Sequence, residues 1–320
     1  MYNEDTTWKQ LLFFHSAETS QQYLKNCYHK IAVKDPEQKG YENSYPFIYY
    51  LEQGKVFYDQ AINAPFSIKP VLLFYGLVHL IKASLLTVDP LYPSTTSVLA
   101  HGVSTRKRKK RQYQFYNDEV KVQKFGLCTY FSEQMFHVKH LEGEKFIMRD
   151  LFSLIAELDD AFLFIKNSNN ITFLDQNKSG LWHIPNKIHE SYYMSEKRLR
   201  HYLNTKHHGP LTWCDESNNI LSFYQEASVQ PPFRYHLFKQ KACLPSTLHP
   251  YSQLHDLIIH YLLLYNLSMI SRYETEWWFD LIKTTPNADF PFIKTFLSIT
   301  EKKGPYLILQ YLKSKLIKVL

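Results

Sequence analysis

Between residues 67 and 87 apolar side chains recur in almost every direction around a helical axis, broken only by Gly76, His79, Lys82 and Ser84. That pattern predicts a helix buried on most sides. Ser67 is placed to cap its start, and Pro70 fits the first turn, where an amide hydrogen would lack a partner. Helical spacing also marks 8–14, 16–31, 45–62, 129–136 and 148–158, with Gly54 weakening the third of these. Two β-type runs, 112–116 and 119–122, flank Asn117 and Asp118 and predict a hairpin. From 161 to 248 the character changes. Short β-prone runs at 161–166, 170–174, 181–184, 220–224 and 233–238 alternate with Asn, Ser, Gly and Pro, around one polar helix at 195–204. Helical periodicity then returns. One long helix is expected over 253–283, with Leu254, Leu257, Ile258, Tyr261, Leu262, Tyr265 and Met269 on a stripe. Two more, 292–299 and 306–319, are separated by a turn at Gly304 and Pro305. The expected fold is mainly α: a helical bundle core from 1–160 and 249–320, with a hairpin near 112–122, and a β-containing insertion at 161–248.

Composition supports a large core. The hydrophobic fraction is 45%, with 24 Tyr and 22 Phe but only nine Gly, which argues against a loop-dominated architecture. The formal charge is +7, of which residues 106–111 supply +6, leaving +1 for everything else. The basic character is therefore one patch, which favours a local anionic partner over diffuse attraction. The four cysteines are widely spaced, as expected of reduced thiols in a cytosolic protein. The first residues carry no signal-peptide pattern. The apolar stretches 71–86 and 257–270 fall short of the roughly 20 residues a membrane span needs, so no membrane association is expected.

The clearest candidate site is the run Arg106, Lys107, Arg108, Lys109, Lys110 and Arg111. Six adjacent cations repel one another and gain by meeting phosphates or an acidic protein face. His101 and Gly102 sit just upstream and would shape the segment. His101 just upstream and His79 inside the apolar helix are the candidate catalytic histidines, and a core histidine with one hydrogen bond is the commoner role for either. No HExxH, paired Cys/His spacing, phosphate-binding glycine loop or nucleophile turn occurs, so neither a metal centre nor a bound cofactor is expected. The pairs His137/His140 and His255/His260 have no further ligands. Arg200 and His207 stand seven positions apart, the spacing of a metal-independent ribonuclease signature, and His101 is the alternative imidazole for such chemistry.

Several stretches together resemble the YaaC-like proteins of Bacillus and relatives. They are PVLLFYGLVHLIKA at 70–83, AHGVSTRKRKK at 100–110, RDLFSLIAEL at 149–158, LSMISRY at 267–273, and the pair Trp277 and Trp278. The resemblance covers essentially the whole chain and implies helical parts of the HEPN type. It also makes IMP dehydrogenase a conceivable partner, because the family's gene is often associated with that of the enzyme. A HEPN bundle would carry its catalytic arginine near Arg272, yet no histidine follows His260. Arg272 is expected instead to pair with Glu274, Glu276 or another carboxylate. Taken together, these readings predict a non-enzymatic regulatory or interaction protein that presents its cations to an acidic protein, a nucleotide or RNA. A HEPN-type ribonuclease is the alternative.

Overall fold

A computed structural model of the chain describes residues 4–105, 113–177, 180–207, 211–214, 221–224 and 229–316. The candidate run Arg106, Lys107, Arg108, Lys109, Lys110 and Arg111 lies outside the described residues. The fold is mainly α, with twelve α-helices and three small antiparallel sheets among the described residues. None of those helices is long and apolar enough to cross a membrane. The chain divides into two compact units, residues 149–259 and residues 3–148 with 260–320.

In the larger unit the helix Lys69–Leu85 is the centre, packed against Pro36–Ile62 and Asp289–Leu316. Its start differs from expectation. Ile68 occupies the N-cap position without a side-chain cap, and the Ser67 carbonyl instead accepts hydrogen bonds from the Ser271 hydroxyl and the Trp278 indole. Burial is as complete as the pattern implied except along one stripe, where Ile68 is exposed and Val71, Leu72, Tyr75, His79 and Lys82 stay partly buried. The glycines here serve close approach. A Cβ on Gly54 would lie 2.6 Å from Leu80, and one on Gly76 would lie 2.7 Å from the Tyr58 ring. Gly54 therefore permits the helix crossing and does not end the helix. Tyr28 and Tyr23 donate to the carbonyls of Leu86 and Leu312, fixing the helix Ala17–Lys30 at both places.

Three expected boundaries move. The helix expected at 45–62 begins at Pro36 and runs through Pro46. The single helix expected over 253–283 breaks at Glu274 into Asp256–Tyr273 and Thr275–Thr284, and beyond the break both Trp277 and Trp278 donate to backbone carbonyls. Conversely, Gly304 and Pro305 do not form a turn. Asp289–Leu316 is one continuous helix, and the bare Cα of Gly304 leaves room for the Tyr58 hydroxyl.

The smaller unit holds two of the sheets. One orders Ile171–Phe173, Lys241–Pro245 and Arg234–His236; the other orders Asp175–Gln176, Trp182–Ile184, Leu221–Tyr224 and Thr212–Cys214. Leu174, Ile184, Ile188, Leu199, Leu203, Phe223 and Leu244 form its core. Residues 161–166, expected as a strand, belong to the helix Asp159–Lys166. Asp159 and Asp160 favour the helix start electrostatically, and Asn167 in the left-handed region closes it. Arg234, only 1% exposed, pairs with Asp256 at 2.5 Å and donates to the carbonyls of Ser252 and Leu254.

Candidate functional site

The cationic segment leaves one fixed element and enters another. Upstream, Val103–Thr105 is a strand paired antiparallel with Glu119–Val122, which pairs in turn with Lys145–Ile147. Just before it Gly102, at φ 74°, crosses Gly126, at φ 130°, so closely that a Cβ on Gly126 would lie 2.3 Å from the Gly102 Cα. Only glycine fits at such a crossing with those dihedral angles. The crossing is bonded on both sides: Leu127 N–H donates to Ala100 O at 2.7 Å, and Gln123 N–H to Gly102 O at 2.9 Å.

Downstream, the expected hairpin is replaced. Glu119–Val122 is a strand, but its neighbour is Val103–Thr105, and residues 115–117 form a 3-10 turn. The cause lies far away in sequence. The Asp289 carboxylate accepts from the amides of Phe115 at 2.7 Å and Tyr116 at 3.0 Å, and those donors are then committed away from any ladder. Tyr113 donates its hydroxyl to Asp118 at 2.6 Å, and its carbonyl accepts from the Trp277 indole at 3.2 Å. Asn266 adds a second donor to Asp118. Burial, reinforced by the Asp118 charge, holds the Tyr113 phenol far above its ordinary value.

His101 lies against this framework. Its carbonyl accepts from Tyr261 at 2.8 Å, and its ring meets Phe74, Tyr75 and Tyr265 edge-on. Burial, followed by the charges of Arg272 and Lys82, holds its imidazole below the ordinary value. His79 is pushed down to about 4 by burial, with Lys82 adding to the effect. Both are therefore neutral near pH 7. His79 stacks on Phe57 at 5.5 Å, and Phe57 on Tyr75 at 6.0 Å. Arg272 does not pair with Glu274 or Glu276. It donates to Tyr75 Oη at 3.3 Å and to Ser268 O in its own helix, and lies over the rings of Tyr75 and Tyr273. Sequence reasoning named Arg272 but missed Tyr75, Tyr50 and Lys82, whose shared face follows only from how two helices cross.

In the smaller unit Arg200 is held by Glu196 at 2.7 Å and lies over the Trp213 ring. His207 is buried at the end of the same helix, with its ring edge-on to Phe233. Ser153 and His249 stand 3.2 Å apart, a distance compatible with a nucleophile and its base. Their polarity is the reverse of what that chemistry needs. His249 Nδ1 accepts from the Tyr251 amide, so the proton of the neutral ring sits on Nε2, facing a hydroxyl that already donates to Asp150 O. Asp159 is ionised despite its burial, because hydrogen bonds and charge from His236 and Lys239 hold it at about 2. The thiols of Cys27 and Cys128 are pushed up by burial to about 11 and about 12, which removes them as nucleophiles at neutral pH. Among the described residues no three His, Cys, Asp or Glu side chains are grouped to hold a metal.

Compared with known protein families, residues 12–312 match the family described as YaaC-like Protein. No curated protein and no solved structure matches the chain.

Proposed function

The chain belongs to the YaaC-like family, and from that premise we propose that it is a cytosolic, non-catalytic regulatory protein that grips an anionic partner with residues 106–111. The observation that carries this reading is the anchoring on either side. Seven residues separate Thr105, paired in a strand, from Tyr113, held by Asp118 and Trp277. Six of the seven are cationic. Anchors of this kind lower the entropy lost when the segment binds, and concentrate charge where phosphates or carboxylates can meet it. RNA or another phosphate chain fits this charge density first. An acidic protein surface, IMP dehydrogenase among the conceivable ones, is the second source.

Replacing all six cations by Gln should weaken capture of single-stranded RNA at least tenfold. It should also flatten its salt dependence, whose slope for six phosphate contacts is about −4 on logarithmic axes. Capture from lysate that survives nuclease treatment would point to the protein partner instead. Binding that is equal in the two proteins at low and high salt would sink the proposal. The HEPN-type ribonuclease has less to draw on, since Arg200 is engaged by Glu196 and His207 is buried. Metal-free RNA cleavage abolished by His207→Ala or His101→Ala would revive it.

A further inference from the structure

The row of half-buried rings on the larger unit has the composition of a small-molecule site. Tyr75, Phe57 and His79 stack with interplanar angles of 28° and 16°, and Tyr50 continues the row beyond His79 at 6.1 Å. A cation stands at each end: Arg272 over Tyr75 and Lys82 over Tyr50, both 5.8 Å from the ring centre. Neither cation has a carboxylate partner among the described residues. A half-buried cation loses part of its hydration, and an ordinary fold returns that loss with an acidic neighbour. Here Lys82 faces a ring, and Arg272 faces two rings, the Tyr75 hydroxyl and the Ser268 carbonyl of its own helix.

The two imidazoles extend the same bias. His79 Nδ1 and His101 Nδ1 are buried without a hydrogen-bond partner. We assign the proton of each neutral ring to Nε2, since an orphan lone pair is tolerated inside a protein more readily than an orphan N–H. Each histidine then keeps its donor for the open side. Lys82, Arg272, His79 and His101 thus offer donors only, beside flat apolar surface. A row that merely filled the core would be closed to water and would have its charges paired.

We propose that the face formed by Tyr50, Phe57, Tyr75, His79, Lys82 and Arg272 binds a planar aromatic monophosphate, its ring against the aromatic row and its phosphate on the cation at one end of that row. None of these six residues belongs to the run 106–111. Titration calorimetry with AMP and with phenyl phosphate tests it, using adenosine and inorganic phosphate as the two halves of the ligand. At least one aromatic phosphate should bind tenfold or more tightly than either half. At least one of Arg272→Gln and Lys82→Met should weaken it about tenfold, with melting temperatures showing that both variants are folded. The protein with residues 106–111 changed to Gln should bind as the unmodified chain does. Aromatic phosphates that bind no better than inorganic phosphate, or that are indifferent to both substitutions, would overturn the proposal. Binding lost only on neutralising 106–111 would also overturn it, by moving the ligand to the segment.

Discussion

Single side chains set the acid limit of this protein. His79 and His249 are each held at about 4 by burial, against 6.5 for an ordinary histidine. In the unfolded chain both take up a proton as pH falls through 6.5, while the folded protein refuses it until about 4. Their contribution is therefore intact above 6.5 and is lost between 6.5 and 4. Urea midpoints measured at pH 7.5, 5.5 and 4.5 should fall steadily, and His79→Gln should flatten part of that fall. An unchanged slope would mean that His79 is protonated in the folded state. Arg234 makes a second residue-scale case. Its removal leaves the Asp256 carboxylate buried without its charge partner, so Arg234→Ala should cost about 3–5 kcal/mol in denaturant unfolding. A loss under about 1 kcal/mol would show that water reaches Asp256 freely. The burial of His79 was legible, since it stands inside an apolar helix, but that of Arg234 was not, because a lone Arg among β-prone residues reads the same whether it is buried or exposed.

Elements were legible where a helix depends on its own stripe. The apolar pattern of 67–87 and the polar helix at 195–204 reappear as Lys69–Leu85 and Glu196–Lys206. Elements whose form depends on a distant side chain were not legible. Residues 112–116 read as a strand, and the chain leaves that path at 115–116 because Asp289, more than 170 positions away, takes two of its amides. Pro305 looks like a helix breaker, yet the helix runs through it, with Gly304 beside it packed under Tyr58. Asp289→Ala tests the first of these. It leaves two donors without their acceptor, at about 1–3 kcal/mol for the buried one. Amide exchange at Phe115 and Tyr116 should accelerate at least tenfold, while exchange in Lys69–Leu85 should change much less. Equal acceleration in both would mean that Asp289 supports the unit generally and not this turn.

On the scale of the whole molecule, the mainly α character with a β-containing portion could be read from periodicity alone, since it averages over many residues. The candidate chemistry was only partly visible. Six adjacent cations announce themselves in any sequence, whereas a face assembled from positions 50, 57, 75, 79, 82 and 272 has no linear signature. The anchors described on either side of the cationic segment, at Thr105 and Tyr113, lie outside it. Neutralising residues 106–111, which lowers the formal charge from +7 to +1, should therefore leave the melting temperature within about 3 °C of the parent. A larger drop would mean that the cations help to hold the fold.

The pairing of Val103–Thr105 with Glu119–Val122 has a practical corollary. If the polypeptide were cut once between Thr105 and Tyr113, the two pieces would still share that ladder, the Gly102–Gly126 crossing and the Tyr261 bond to His101. Expressed as separate fragments, they should find each other and reassemble, which makes this position a natural junction for a split reporter.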